Sequence, residues 1–498
     1  MSLAPPQSGA AVAGAPVSGA PRRGVTALRF LPIDTYPQLI DLAQRPTGRA
    51  LLLALFALAL VPLNPAKSLP ITIAAGACAY AGRYRNAVRT FMTMSLAFAR
   101  PDWFLIYWPP PIAPRDGLAG RLDVALALWP MLVAVFLLSV LAMHFVRRYR
   151  PALPARHPVV SLLALFAALV LLACSGYVQG RPQILLWTFV AVFGAYFWFL
   201  CYALADQRAR DGSAPLVQLG VFHPFWGSTT TPIGKGAAYL RKFEAKDARE
   251  LAITQLKGLK LLVWVLVLIV LNHALSYAAQ GAFAIPDLED AIAKHVAGHS
   301  YPWYVCWASL IYTFFHNMLE MAIFGGPIVA VARLAGYRLL RNTYRPLSAT
   351  TLVEFWNRYY FYYKELLVEF FFFPTFFRCF QKHKRVRIFF ATFMAASVGN
   401  FIFHFMRDIY IAAQFGLVHQ LLGFQSFAFY CLVLGSGIGL SQMRIHRQKT
   451  GKTRTGQRLA STASVLGFYC LLSIFSSTFS EYSLANHFSF LFHVFGVG

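Results

Sequence analysis

Residues 388–410 read IFFATFMAASVGNFIFHFMRDIY, an apolar run whose charged residues, Arg407 and Asp408, lie at its far end. A helix crosses the hydrocarbon core of a bilayer with about 20 consecutive, mostly apolar residues. Similar runs recur along the chain, at 49–63 with 68–81, 123–146, 159–176, 183–205, 257–278, 303–332, 417–440 and 462–480, and the last stretch, 484–498, is long enough for a partial span. The sequence therefore predicts roughly nine to eleven membrane segments.

The composition supports the same fold class. Of the 498 residues, 58% are hydrophobic and only 13% are charged, and the mean hydropathy is +0.54. These values are typical of a chain whose helices lie in lipid rather than in water. We therefore expect an all-α polytopic membrane protein, a bundle of transmembrane helices with additional interfacial or re-entrant helices.

The net charge of +26 resembles that of a nucleic-acid-binding protein until its placement is considered. The basic residues form short blocks between the apolar runs, at 147–156, 235–260, 333–345, 378–387 and 444–458, whereas the loop 279–302 is acidic. Cytoplasmic loops carry such an excess of Lys and Arg. The charge thus predicts basic loops in the cytoplasm and contact with membrane lipids, and no nucleic-acid partner.

Four regions follow from the composition along the chain. We expect a disordered amino-terminal tail at 1–25, amino-terminal transmembrane helices at 26–215, a polar-decorated core at 216–445 and carboxy-terminal transmembrane helices at 446–498. The tail lacks the apolar segment of a cleavable signal peptide, which is compatible with a bacterial inner membrane. The seven cysteines are scattered and form neither a disulfide framework nor a zinc-binding pattern.

His404 is the main candidate for chemistry. It lies deep in the apolar run, where a polar side chain is costly unless it faces other helices or a cavity. On a helix, Asn400, His404 and Asp408 stand one turn apart on the same face, so the amide or the carboxylate is placed to fix the imidazole tautomer. Two interpretations remain open from these residues: a histidine that hydrogen-bonds between helices, or a general base.

Two further segments are unusual. The stretch 354–369 lies between basic blocks and is rich in Tyr and Trp, which predicts an interfacial or re-entrant helix, with Glu354 and Arg358 paired at a spacing of four. Either its aromatic residues form an interfacial belt, or Asn357, Arg358 and Glu365 point into a site. The loop 223–236 contains two prolines and three glycines, which break a helix, and it is either a plain interfacial loop or a re-entrant element near a site.

Several motifs in order resemble the core of the membrane-bound O-acyltransferase family. They are Met321-Ala322-Ile323, Ala332-Arg333-Leu334-Ala335-Gly336-Tyr337, Asn342-Thr343-Tyr344-Arg345-Pro346 and Glu354-Phe355-Trp356-Asn357-Arg358, with Thr231-Pro232-Ile233 and Gly258-Leu259-Lys260 upstream. They are similar to the "MAIG", "ARLLGF", "NxxRPY", "EFWRRWH" and "AGPI…GLxK" segments of the bacterial polysaccharide-modifying branch. The resemblance covers about 220–440.

The resemblance implies roles for individual residues. His404 corresponds to the catalytic histidine of the "LWHG" segment, which here reads Phe403-His404-Phe405. Tyr360 stands where the family has its upstream histidine, and Asn357 is then the candidate for the second catalytic position, as an oxyanion donor. The supporting candidates are Asn400, Asp408, Arg358, Tyr360 and His316. The candidates for acyl-donor binding are the cations Arg378, Lys382, Lys384, Arg385 and Arg387, whose alternative role is a topology signal only.

The resemblance implies transfer of an acyl group from a thioester donor, acyl-CoA, to a hydroxyl of a glycan or another acceptor. It implies no permanently bound cofactor, and partner proteins are compatible with it. No metal is required, and the pair His295 and His299 lacks the ligands that usually accompany a metal site. Two alternatives remain: a non-catalytic bundle, either a transporter or a subunit of a complex, and a lipid-directed acyltransferase of the same family.

Overall fold

A computed structural model describes residues 30–100, 121–209, 213–227, 231–445 and 455–497 of the chain. Within these ranges the chain is helical and forms no β-strand, and an isolated antiparallel bridge pairs Glu244 with Tyr337. The expected tail at 1–25 lies outside the described residues. The expectation of an all-α polytopic membrane protein is confirmed.

Most helices in the first part of the chain have a proline in their first turn. Proline suits the first turn because its fixed φ is helical and its missing N–H would have no partner there. Pro37, Pro46, Pro65, Pro158 and Pro182 occupy such positions. The helices are α1 (Pro37–Gln44), α2 (Pro46–Leu60), α3 (Pro65–Tyr80), α4 (Arg85–Ala99), α5 (Arg121–Arg148), α6 (Leu153–Arg156), α7 (Pro158–Cys174) and α8 (Arg181–Arg208).

In the second part, four helices begin with a polar side-chain cap. Side-chain oxygens of Asp247, Asp287, Thr351 and Ser483 accept the first free backbone N–H groups of their helices. The helices are α9 (Pro215–Leu219), α10 (Ala237–Lys242), α11 (Ala248–Ser276), α12 (Leu288–Val296), α13 (Trp303–Leu334), α14 (Leu352–Tyr359), α15 (Phe361–Leu367), α16 (Phe373–Arg378), α17 (Lys384–Phe393), α18 (Asn400–Arg407), α19 (Tyr410–Phe415), α20 (Leu417–Gly423), α21 (Gln425–Ile445), α22 (Thr455–Leu472) and α23 (Leu484–Val494).

Seven helical segments of the described chain are long and apolar enough to cross a bilayer: Leu128–Arg148, Arg181–Arg208, Ala248–Ala282, Trp303–Leu334, Lys384–Arg407, Gln425–Arg444 and Gly456–Phe475. Two shorter apolar helices, α2 and α7, bring the number to the lower end of the expected range. The run expected at 417–440 is interrupted at Phe424, so that the short α20 precedes the membrane-spanning α21.

Small residues allow the two longest helices, α11 and α13, to pack closely. A Cβ atom at Gly326 would lie 2.3 Å from Cγ2 of Val265, and one at Gly258 would lie 2.9 Å from the carbonyl oxygen of Ala330. In lipid, where lateral association depends on close packing, glycines at helix contacts serve this purpose. The two helices therefore form a tight pair over the half of their length that contains these contacts.

The most deeply buried span is α8. Its aromatic side chains form one core cluster with residues of α5, α7, α15 and α18. The Trp198 ring lies 5.9 Å from the Phe370 and Phe371 rings and 6.0 Å from the Phe403 ring. Residues that precede position 215 and residues that follow it thus belong to one core cluster. Within this cluster, α18, the helix that carries His404, packs against α8.

Candidate functional site

His404 lies in the last turn of α18, inside the span Lys384–Arg407. Its ring is surrounded by aromatic rings of three helices, with centroids 5.2 Å away at Phe403, 5.8 Å at Tyr363 and 4.9 Å at Phe427. The side chain is half-buried, and its Nδ1 atom is enclosed without a hydrogen-bond partner among the described residues. An enclosed, unpaired imidazole nitrogen is costly, so it is a good candidate for a ligand contact.

The expected partners of the imidazole are occupied elsewhere. The Tyr363 hydroxyl donates to Oδ1 of Asn400. Both carboxylate oxygens of Asp408 accept from the Arg407 guanidinium at 2.7 Å, and Arg407 also donates to the Thr478 hydroxyl at 3.1 Å. The expectation that Asn400 or Asp408 orients the imidazole is therefore wrong for this structure. The physical reason for Asp408 is that both of its carboxylate oxygens are held by the guanidinium of the neighbouring Arg407, although its backbone N–H still donates to the His404 carbonyl.

Tyr363 is the site residue that sequence reasoning missed. It is buried in α15, and its ring contacts His404 and also lies 5.8 Å from Tyr360 and 6.2 Å from Trp356. Tyr360, which the resemblance places at the position of a second histidine, thus contacts the Tyr363 ring, and the Tyr363 ring contacts His404. The hydroxyl of a buried tyrosine usually finds a hydrogen-bond partner, and the concentration of tyrosines in the 354–369 stretch was the available signal.

The other two candidates of this stretch lie away from the imidazole. The side chain of Asn357 is exposed, so the structure does not place it among the groups that enclose His404. Arg358 pairs with Glu354, as predicted from their spacing, and it also donates to the Ser348 hydroxyl at 2.7 Å. Arg358 therefore holds α14 against the preceding turn, which is a structural task.

Two segments of π-helix position α18. They cover Val368–Phe372 and Met394–Gly399, and such segments are frequent at functional sites. At Gly399 a Cβ atom would lie 2.7 Å from Cδ2 and 2.8 Å from Cγ of Phe371. The absence of a side chain at Gly399 is thus what lets the Phe371 ring, and with it the segment after Tyr363, approach the His404 helix.

The proposed donor-binding cations lie at the other end of the same span. Arg378, Lys382, Lys384 and Arg385 are exposed, while the guanidinium of Arg387 lies over the Phe376 ring, 4.2 Å from its centroid. Seventeen helical residues separate Arg387 from His404, which corresponds to about 25 Å. This distance is beyond the Debye length of about 8 Å at physiological salt, so the cations are too far away to act directly on the charge of the imidazole.

The described part of the 223–236 loop is buried rather than interfacial. Phe225 and Trp226 belong to the core. The Lys235 ammonium donates to Glu365 at 2.8 Å, and Lys364 pairs with the same carboxylate. Burial pulls the pKa of Glu365 upward, but the two lysines outweigh it and hold that pKa below its ordinary value. The loop is thereby fixed to α15, the helix that carries Tyr363, which favours the interpretation of an element near the site.

His316 lies apart from His404, in the middle of α13. Its Nδ1 is 3.0 Å from Oδ1 of Asn272, and its Nε2 is 3.3 Å from Oε1 of Glu320. These groups line a cavity of about 650 Å³ between α11 and α13, and His404 does not line it. His316 is therefore not a support for His404 but belongs to a separate polar group.

The pair His295 and His299 does not converge. His295 bonds to the hydroxyls of Ser300 at 2.9 Å and Ser489 at 3.0 Å, and its ring faces His493, with centroids 5.0 Å apart. Within the described residues, no three His, Cys, Asp or Glu side chains are grouped as metal ligands. His295 therefore joins α12 to α23.

No protein-family model matches the sequence, and a comparison with curated proteins gives no match. The fold and the spans define the class, a polytopic helical membrane protein. The acyltransferase resemblance rests on the order and spacing of its motifs and enters below as a proposal.

Proposed function

We propose that this protein is a membrane-embedded O-acyltransferase that moves an acyl group from a thioester donor, acyl-CoA, to a hydroxyl of a glycan or another acceptor. The observation that supports this function is the enclosed imidazole of His404, whose Nδ1 has no hydrogen-bond partner among the described residues. An imidazole is the side chain suited to accept and return a proton near neutral pH. In the apolar surroundings of Phe403 and Phe427, it is shielded from competing water.

The proposed reaction needs one proton carrier. His404 takes the proton of the acceptor hydroxyl while its oxygen attacks the thioester carbonyl, which forms the new C–O bond. The tetrahedral intermediate then collapses, the C–S bond breaks, and the leaving thiolate receives the proton from the imidazolium. A positioned general base contributes about 10²–10⁴-fold to such a step.

The surroundings of His404 suggest which groups assist. The Tyr363 hydroxyl is fixed by Asn400, so the phenol holds the aromatic wall beside the imidazole. We assign Tyr363 as a positioning residue. The cations of 378–387 are proposed to hold the phosphates of the donor. The protein is proposed to lie in a bacterial inner membrane, with its basic loops on the cytoplasmic side.

The test compares cells that carry wild-type protein, His404→Ala and the control His419→Ala. His419 is an exposed histidine of α20 whose ring contacts Phe415 and Phe479. Mass analysis of acylated glycans and lipids should show loss of one acylated species with His404→Ala and no change with His419→Ala. If all three proteins are expressed equally and give the same acylation pattern, the proposal is wrong and a non-catalytic bundle is favoured.

A further inference from the structure

The cavity between α11 and α13 lies well inside the spans. His316 is thirteen residues after the start of α13, which places it about 20 Å along that helix. One end of the cavity is polar, with Asn272, Ser276, His316 and Glu320, and the other end is apolar, with side chains such as Ile269 and Phe324. Ionisable residues at such depth are rare and mark functional sites by default.

The hydrogen bonds of His316 fix the orientation of its ring. An amide oxygen only accepts, so Nδ1 of the ring carries the hydrogen that faces Oδ1 of Asn272. The Nε2 atom lies 3.3 Å from Oε1 of Glu320. The ring therefore lies between the amide of Asn272 and the carboxylate of Glu320.

The chemistry of the lining selects a class of ligand. The side chains that line the cavity include the carboxylate of Glu320 and two histidines, His273 and His316, but neither lysine nor arginine. A phosphate needs cations or a helix N-terminus as partners and would be repelled by Glu320. A hydroxyl group, by contrast, can donate to the second carboxylate oxygen of Glu320, whose side chain is 54% exposed.

The position of the cavity selects an amphipathic ligand. Val270 and Leu271 of α11 and Ile311 and Phe324 of α13 are exposed apolar side chains of membrane spans. They therefore face hydrocarbon, and a cavity beside them is accessible from the bilayer. Its volume of about 650 Å³ is within the usual range for small-molecule sites.

We propose that the cavity between α11 and α13 binds a phosphate-free lipid of the diacylglycerol class, with the lipid hydroxyl on Glu320 and its acyl chains along the apolar end. This inference goes beyond acyl transfer at His404 and does not depend on it. The polar group around His316 holds the lipid, and the close contact of the two helices below it forms the floor of the site.

The test uses the full chain in phosphatidylcholine vesicles with a photoreactive diacylglycerol and, separately, a photoreactive phosphatidic acid with the same acyl chains. Peptide mapping should find the diacylglycerol label on peptides that contain 269–276 or 316–327, and unlabelled diacylglycerol should compete for it. Equal labelling of these peptides by phosphatidic acid would overturn the proposal, as would a label confined to other peptides.

Two variants and matched controls locate the site. Ser276→Phe fills the polar end and should lower the labelling at least tenfold, whereas Ser464→Phe, at an exposed position of α22, should not change it. Glu320→Gln keeps the size of the side chain and replaces a charged acceptor by a neutral one, so about a fivefold loss is expected. Glu481→Gln, at an exposed position, is its control. If Ser276→Phe does not fold, Glu320→Gln decides, and unchanged labelling of that variant would refute the site.

Discussion

Replacement of Gly399 by alanine tests how the candidate site is held together. The new Cβ atom would lie 2.7 Å and 2.8 Å from Cδ2 and Cγ of Phe371, and 3.2 Å from Cδ2 of Leu367. Carbon atoms pack best at about 3.5–4.0 Å, so the overlap at the base of the Phe371 ring is about 1 Å. Because the base of a ring cannot turn away like the end of a flexible chain, the helix or the π-segment must move.

The size of the effect follows from two opposing contributions. Overpacking of this kind costs about 1–3 kcal/mol, and alanine returns up to about 1 kcal/mol through its higher helix propensity. We therefore expect Gly399→Ala to lower the free energy of unfolding by about 1–2 kcal/mol. The displaced Phe371 ring contacts Trp198, which stacks on Phe403 beside His404, so the proposed acyl transfer should also fall.

The measurement is unfolding by SDS titration in mixed micelles, followed by tryptophan fluorescence. Gly467→Ala is the matched control, because Gly467 is exposed on α22 and no atom lies within 4 Å of its Cβ position. That control should be neutral or more stable by up to about 1 kcal/mol. If Gly399→Ala is stabilised as much as Gly467→Ala, the inferred close contact between α18 and the segment after Tyr363 does not exist.

Three further changes test the contacts around the site. Glu365→Gln leaves Lys235 and Lys364 without their carboxylate and should cost about 2 kcal/mol at neutral pH. Folding lowers the pKa of Glu365, so this carboxylate stabilises the wild-type protein fully at pH values above its ordinary pKa of 4.5. The stabilisation is lost as the pH falls through the pKa of Glu365 in the folded protein. Thermal melts of wild type and variant should therefore converge in acid. Tyr363→Phe leaves the buried Asn400 oxygen unpaired and should lower the free energy of unfolding by about 1–3 kcal/mol. In a background that already carries Asn400→Leu, the same change should cost less, and additive costs in this double-mutant cycle would contradict the hydrogen bond. Thr351→Ala removes the N-cap of α14 and should lower the free energy of unfolding by about 1 kcal/mol. An unchanged melting temperature would show that the cap contributes nothing to stability.

The sequence was sufficient for features that depend on one helix. The run 388–410 predicted the span that the structure places at Lys384–Arg407, and the four-residue spacing predicted the pair of Glu354 with Arg358. Both follow from helix geometry alone, because apolar length and the period of 3.6 residues are local properties. Local properties also explain the starts of α11 and α12 at aspartate caps.

Contacts between helices could not be predicted in this way. Tyr363 reaches His404 because a π-segment and Gly399 bring α15 close to α18, and neither feature has a sequence period. Asp408 was placed on the face of His404 by counting, and its N–H does donate to the His404 carbonyl, but its carboxylate pairs with Arg407. The position of a residue on a helical face thus tells which neighbours are within reach, but not which of them its side chain binds.

The tyrosines beside His404 bear on the chemistry that the site can perform. Tyr360, in place of the second histidine, is separated from His404 by the Tyr363 ring, at 5.8 Å from each. Among the described groups that enclose His404 there is thus no second imidazole. The proposed transfer does not need one, because the proton taken from the acceptor hydroxyl is the same proton that the leaving thiolate requires. A single imidazole can carry it between two sites on one substrate complex, provided that water is kept out. The aromatic wall of Phe403, Tyr363 and Phe427 serves that purpose better than a polar residue would.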